Sequence, residues 1–320
     1  KLAELLGAPV ITGDGAKGAF PEDHPLSLGQ GLGKFIWAEN PVLDFVPTCD
    51  VCLVVGALLP HRSTTRIGLK MPPTVIQIDL DRSVIGRNYP VAVDVTGNSK
   101  AVLGQIISLL EGKSAYKGDA FRKEVQALKG QTYESLKQQW PNELRTMEGM
   151  RSVMPRDTIV TLDPTVPASR AARCLPIYGP RTYMYPHGWS GLGFAFPVAL
   201  GAKVGMPQKP VVCITGDGGF QYNAQELGTA VQYGINPVVV MFDDSAWGVL
   251  KGYQRARFNS RFFATDLVNP DFIKLAGAYG VEATRVDTLD GLLKAMDSAL
   301  RSNRIQLIDA RMPNGFASFK

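Results

Sequence analysis

The run at 211–219, Val-Val-Cys-Ile-Thr-Gly-Asp-Gly-Gly, constrains this chain more than any other stretch. Its apolar and β-branched residues do not alternate with polar ones. That pattern suits a strand buried on both faces, and such strands belong to parallel sheets flanked by helices. The strand runs straight into Gly216-Asp217-Gly218-Gly219. In an open parallel sheet, ligands bind in the crevice beyond the carboxyl ends of the strands. Glycines there let backbone N–H groups approach an anion closely. Asp217 adds one carboxylate to the same crevice. A carboxylate beside a bound anion calls for a cation between them, and Mg²⁺ suits such oxygen donors. A helix expected at 223–233 adds the positive end of its dipole.

A second apolar run, 237–242, ends in Asp243-Asp244-Ser245-Ala246-Trp247-Gly248. Its carboxyl end is expected beside the first. Asp244 is then the candidate second ligand, while Asp243 orients the loop. Gly-Asp-Gly alone is a weak signal, because an aspartate after a strand often just caps the next helix. What strengthens it is Asp244 at the end of a second buried strand, 27 positions on. The same tripeptide opens 13–18, Gly-Asp-Gly-Ala-Lys-Gly, which fits G-x-G-x-x-G. A dinucleotide fingerprint needs a helix next. Pro21 and Pro25 deny one, so this segment reads as a loop.

The rest of the chain extends the α/β pattern. A length of 320 residues suggests two domains. Strands are expected at 9–12, 50–56, 74–80 and 92–95, then a helix at 99–110. The stretch 111–140 turns polar, with Gly112, Gly118 and Gly130. Further strands fall at 158–162, 210–215, 237–242 and 306–310, with helices at 192–204, 223–233, 270–279 and 289–302. The expected fold is two doubly wound parallel-sheet domains: a Rossmann-like domain at 1–112, a linker with a surface helix at 113–150, and a second α/β domain at 151–320.

The net charge of +5 is spread along the chain rather than clustered, and no nucleic-acid motif stands out. No run of about 18 apolar residues exists, so no membrane span is expected. The four cysteines include a Cys49-x-x-Cys52 pair, but no second pair completes a zinc site. They read as buried free thiols of a cytoplasmic protein. Lys1 in place of Met suggests a start inside a longer protein. His24 and His61 read as surface loop residues. His187 reads either as a ligand contact or as a satisfier of local backbone.

Several of these segments together resemble the thiamine diphosphate enzymes of the acetolactate synthase and 2-oxo acid decarboxylase superfamily, which includes benzoylformate decarboxylase-like members. That family carries Gly-Asp-Gly followed, a helix and a strand later, by an Asn or Asn-Asn pair. Here Gly216-Asp217-Gly218 precedes Asp243-Asp244, so aspartates replace the usual amides. The segment 223–227 (NAQEL) is similar to the family's helix start, and 187–202 (HGWSGLGFAFPVALGA) to the segment before the strand. GAFPEDHPLSLG at 18–29 and IQIDLDRSVIGRNYP at 76–90 are similar to its middle domain.

The resemblance implies a set of site residues. Asp217, Asp244 and the Ala246 carbonyl would ligate Mg²⁺. Gly216, Gly218, Gly219, Trp247 and Gly248 would surround the cofactor. Thr165 and Val166 would meet the diphosphate, although DPTVPA at 163–168 departs from the family loop and Pro164 and Pro167 remove two N–H donors. The Ser190 backbone would meet the aminopyrimidine, and Leu192 would prop the bent thiamine. Val249, Leu250 and Tyr253 would line the substrate pocket; core packing is an equal reading for Trp247 and Tyr253. Gly56, Ala57 and Arg62 fit a stretch that contacts FAD in some members, but Leu58 replaces their arginine. FAD is therefore the lesser cofactor expectation.

The implied activity is decarboxylation of a small 2-oxo acid, with or without ligation of the product to an acceptor. No glutamate here matches the family residue that protonates the aminopyrimidine, so no catalytic residue is expected in this chain. That residue belongs to a pyrimidine-binding domain, supplied by a missing N-terminal segment or a partner chain. A homo- or hetero-oligomer follows. The alternative is a non-catalytic nucleotide-binding or regulatory subunit. The missing glutamate favours it; the intact metal residues oppose it.

Overall fold

The continuous apolar runs become parallel strands, as burial on both faces demands. A computed structural model describes residues 1–31, 40–59, 68–113 and 119–319, without the side chains of 119, 120 and 314. Arg62, His61 and Gly118 lie outside the described residues. The chain divides into two compact units, Lys1–Gln139 and Trp140–Lys320.

Unit 1 contains α1 (Leu2–Leu6), β1 (Val10–Thr12), β2 (Ser27–Gln30), α2 (Pro41–Phe45), β3 (Val51–Val55), β4 (Thr74–Asp79), β5 (Val93–Thr96), α3 (Ser99–Leu110) and α4 (Asp119–Gln139). β1 and β2 form a two-stranded parallel sheet, and β3-β4-β5 a three-stranded parallel one. α3 starts where Asn98 caps it, its side chain accepting from Lys100 N at 3.0 Å and Ala101 N at 3.3 Å. α4 falls in the stretch read as linker and surface helix, and it packs within unit 1. Val125 and Leu128 join Leu28, Val42, Val46 and Leu69 in one buried cluster.

At the end of β3, Gly56 takes φ +56°. The Ala57 carbonyl accepts from Gln77 Nε2 at 3.2 Å and the Leu58 carbonyl from Asn88 Nδ2 at 2.9 Å. Cys49 and Cys52 are half-buried, whereas Cys174 and Cys213 are buried. The reading of all four as buried therefore fails for the first pair, since β3 begins at an exposed edge.

Unit 2 contains α5 (Pro141–Val153), β6 (Ile159–Leu162), α6 (Val166–Cys174), β7 (Tyr183–Met184), α7 (Ala195–Gly205), β8 (Val211–Gly216), α8 (Asp217–Gln221), α9 (Glu226–Tyr233), β9 (Val238–Asp243), α10 (Gly248–Arg257), α11 (Phe272–Ala278), β10 (Glu282–Val286), α12 (Leu289–Ser302), β11 (Gln306–Arg311) and β12 (Pro313–Phe316). Six strands pair in parallel in the order β10-β11-β9-β8-β6-β7. Every residue of β6, β8 and β9 is buried, as expected of strands covered on both faces. Val211, Cys213, Val239 and Met241 pack with α7, α9 and α11 through Phe196, Leu227 and Phe272. Phe242 turns the other way, its ring 6.0 Å from that of Phe316 and 6.1 Å from that of Phe319.

β6 lies between β7 and β8, so the chain leaves β6 in one direction and enters β8 in the other. Such a reversal opens a crevice at the carboxyl ends of the strands. Asp163, Gly216 and Asp243 stand at those ends.

Two sequence expectations change here. The helix expected from 223 starts at Glu226, and a separate short helix, α8, begins at Asp217 itself. Glycines are poor helix formers, which hid α8. It forms because Phe220 is anchored in the core, 1% exposed, between Phe196 and Phe272 at 5.6 and 6.1 Å.

Candidate functional site

The glycines of the 216–219 turn are required by close approach, not by positive φ. A Cβ on Gly218 would overlap the Trp247 ring, and one on Gly219 would sit 2.7 Å from Asp163 Oδ2. A Cβ on Gly216 would come within 3.0 Å of Thr165 Cγ2, and one on Gly248 would overlap the Asp244 carboxylate. The turn after β8, the loop after β9 and the loop after β6 are therefore in direct contact. Trp247 rests on Gly218 with its ring 6.2 Å from that of Tyr222.

The loop after β9 is held in a strained form. Ser245, between Asp244 and Ala246, takes φ +51°, a region costly for a residue with a side chain. Asp243 compensates: its Oδ1 accepts from Ser245 N at 3.0 Å and Ser245 Oγ at 3.1 Å. Asp243 thus orients the loop. On the other side, residues 265–267 run antiparallel to it. Trp247 N donates to Thr265 O and Leu267 N to Ser245 O, both at 2.8 Å. These bonds fix the peptide planes on either side of Ala246 and so the direction of its carbonyl.

Asp217 is 2% exposed. Its Oδ2 accepts from Asn269 Nδ2 at 2.7 Å. Burial pushes its carboxyl up to about 7, against the Asn269 hydrogen bond and with help from the Asp244 charge. Burial likewise raises Asp244, opposed by a backbone hydrogen bond at Ala246. Two carboxylates desolvated near one another tend to hold a proton, and a bound cation would keep both ionised. Among the described residues no three His, Cys, Asp or Glu side chains converge to hold a metal ion unaided. Two carboxylates and a backbone carbonyl are an incomplete set of hard oxygens, and diphosphate oxygens with water would complete it. The residues present fit a Mg²⁺-diphosphate group.

The segment before α7 is bound to the same turn. Asp163, fully buried, accepts from Thr215 Oγ1 at 2.6 Å and from Ala195 N at 2.9 Å. It also takes backbone N–H groups of Phe194 and Gly193, while burial pushes its carboxyl up. Asp163 thereby serves as the N-terminal cap that Phe194 cannot supply for α7. Asn223 Nδ2 donates to Gly193 O at 2.7 Å, and Gly193 takes φ +78°. Ahead of this clamp, Ser190 takes φ +52° with its N–H on Pro186 O at 2.9 Å. Leu192 and Trp189 stand exposed. His187 sits beside the Tyr185 ring at 5.0 Å.

Thr165 lies at the rim, where its Oγ1 accepts from Ala168 N at 3.2 Å as the cap of α6. Pro167 falls in the first turn of that helix, where a proline costs no intrahelical bond. Val166 Cγ2 lies near Gly248. Val249, Leu250 and Tyr253 occupy α10; Leu250 is exposed, and Tyr253 packs under Arg257 at 5.1 Å. Asn269, Asp163, Thr215 and Asn223 went unrecognised as site residues. Each is separated in sequence from what it holds, and a lone Asn before Pro270 reads as a turn.

Comparison with known proteins follows the two units. Residues 1–106 match the family described as thiamine pyrophosphate enzyme, central domain, and residues 166–310 match its C-terminal TPP binding domain. The probable acetolactate synthase large subunit of Methanocaldococcus jannaschii is 32% identical over 97% of this chain and 54% of its own length. The acetolactate synthase isozyme 3 large subunit of Escherichia coli is 30% identical, over 96% of this chain and 55% of its own. Sulfoacetaldehyde acetyltransferase of Castellaniella defragrans is 28% identical, over 96% and 56%. The chain spans about half the length of these curated relatives.

Proposed function

Because the chain belongs to the thiamine pyrophosphate (thiamine diphosphate) enzyme family, we propose that its second unit holds that cofactor's diphosphate through Mg²⁺, as half of the active site of an acetolactate-synthase-like 2-oxo acid decarboxylase or carboligase. The observation that carries this reading is the contact between two turns. Asp217 and Asp244 end adjacent buried strands, and Trp247 and Gly218 lock them together. Both carboxylates and the Ala246 carbonyl would hold the cation. When bound, the cofactor supplies an electron sink for the carbon that loses carbon dioxide.

This chain's residues bind and orient. Gly216, Gly218 and Gly219 let Thr165, Trp247 and Asp163 pack directly on the turn, which leaves its backbone N–H groups to face the diphosphate. Asp163 holds the 188–194 segment so that Leu192 supports the thiamine and the Ser190 backbone meets its aminopyrimidine. Val249, Leu250 and Tyr253 on α10 line the substrate side and exclude water. The proton work belongs to a pyrimidine-binding domain outside these 320 residues, in the same protein or in a partner, and oligomerisation would bring it to the site. Among the described residues no helix is long and apolar enough to cross a membrane.

Calorimetric titration of the full-length protein with thiamine diphosphate tests this. Binding is expected to require Mg²⁺ and to be lost in Asp217→Ala but kept in Asp14→Ala. Equal binding by both variants would overturn the reading.

A further inference from the structure

We propose that Asn269 is the positioning residue of the cation site: it fixes the rotation of the Asp217 carboxylate and ties it to the loop that carries Asp244 and Ala246. This rests on the reading of that site as a Mg²⁺-diphosphate centre.

The orientation of the Asn269 amide follows from its neighbours. Nδ2 lies 2.7 Å from Asp217 Oδ2 and 3.0 Å from Asp243 Oδ1, while Oδ1 lies 3.1 Å from Gln221 Nε2. A flipped amide would set its oxygen against two carboxylates and its NH₂ against another NH₂. The NH₂ group therefore spends both hydrogens on two carboxylates from different strands. An ammonium or guanidinium in this place would compete with a cation for charge. A neutral amide supplies the same donors and leaves the site anionic.

The bond to Oδ2 engages one oxygen of Asp217 and aims the other. Partners of this kind orient a metal's ligands, and their loss costs about 10- to 100-fold in metal affinity. Asn269 is itself well held. Gln221, which donates to it, also donates to the Asp217 carbonyl at 3.3 Å. Four residues upstream begins the segment whose backbone bonds, at Thr265 and Leu267, flank Ala246. Two residues downstream Asp271 caps α11, accepting from Ile273 N at 3.2 Å, and Phe272 is buried beside Phe220. One short arc, 265–269, thus grips every proposed ligand: Ala246 through the backbone of its neighbours, Asp217 through a side chain, and Asp244 through the loop that Asp243 pins. Rigid placement of ligands favours Mg²⁺, which demands near-ideal octahedral geometry, over the more tolerant Ca²⁺.

The test titrates the full-length protein with Mn²⁺ in the presence of thiamine diphosphate, reading free Mn²⁺ by electron paramagnetic resonance, and repeats it with Mg²⁺ and Ca²⁺ as competitors. Wild type, Asn269→Leu, Asn269→Gln and Asp217→Ala are compared. Asn269→Leu is expected to bind Mn²⁺ about 10- to 100-fold more weakly, with a smaller preference for Mg²⁺ over Ca²⁺ and a lower metal-free melting temperature, since two buried carboxylates lose a donor. Asn269→Gln, which keeps an amide donor, should recover part of both. If Asn269→Leu does not fold, the Gln variant decides, since it is expected to show a partial loss with the same narrowing of preference. Wild-type affinity and wild-type cation preference in the folded variants would overturn the proposal while leaving the site intact. Mn²⁺ binding by wild type no tighter than by Asp217→Ala would instead overturn the reading of the site, and this proposal with it.

Discussion

The pentapeptide Ile-Thr-Gly-Asp-Gly occurs twice in this chain, at 11–15 in unit 1 and at 214–218 in unit 2. Both copies close a parallel strand, β1 and β8. In unit 1 the strand belongs to a two-stranded sheet, Thr12 Oγ1 donates to Gly29 O at 3.2 Å, and Asp14 accepts from Gln30. A Cβ on Gly13 or Gly15 would meet nothing within 4 Å. In unit 2 the strand is central in a six-stranded sheet, Thr215 donates to the buried Asp163, and glycines 218 and 219 are pressed by Trp247 and Asp163. Local sequence therefore makes a turn in both places. Only the strands on either side, with their own loops, make one of them a candidate site.

Several substitutions would break or sharpen this contrast. The largest effects fall on what anchors each turn. Phe220→Ala should cost about 3–5 kcal/mol, as for an aromatic removed from a packed core, and should also weaken Mg²⁺-dependent cofactor binding. The unit 1 loop is anchored by a buried ion pair, Lys17 Nζ to Glu22 at 2.7 Å. Lys17→Ala should cost about 3–5 kcal/mol, because it leaves the carboxylate without its lysine, yet cofactor binding should be spared. Denaturant melts beside calorimetric titrations separate the two. Gly218→Ala comes next: the new methyl meets the Trp247 ring, and overpacking costs about 1–3 kcal/mol. Gly13→Ala sits in open space at φ −83° and should change stability by less than about 0.5 kcal/mol. Thr215→Val and Thr12→Val show the smallest contrast. Loss of the Thr215 hydroxyl deprives a buried carboxylate of a donor, at about 1–3 kcal/mol. Loss of the Thr12 hydroxyl removes one bond to a backbone carbonyl, worth about 1 kcal/mol. Thermal melts of the four variants rank them.

The comparison also explains what could be read from the sequence. Strands β6, β8 and β9 were legible because double-sided burial leaves unbroken apolar runs. Helices α3 and α12 were legible from their apolar spacing, and the structure adds the caps that start them, Asn98 and Thr288. The parallel α/β fold followed from those elements. Strand β10, Glu-Ala-Thr-Arg-Val, was missed because it is an edge strand with mostly exposed side chains. Helix α10 was missed because none of its residues is buried, so it carries no clear apolar stripe. In the candidate site, the placement of Asp217 and Asp244 at the ends of adjacent strands was legible because each directly follows a buried apolar run. Asp163 falls in the 163–168 loop, of which the sequence singled out only Thr165 and Val166, whereas its carboxylate points inward to cap α7. Asn269 left no mark, since its partners lie 26 and 52 residues away and only folding brings them together.

The most direct test of the central claim is an anomalous difference map from crystals of the full-length protein grown with Mn²⁺ and thiamine diphosphate. The account predicts one strong peak bounded by the Asp217 and Asp244 carboxylates and the Ala246 carbonyl, with none beside Asp14. A peak elsewhere, with none at Asp217 although the cofactor is bound, would contradict it.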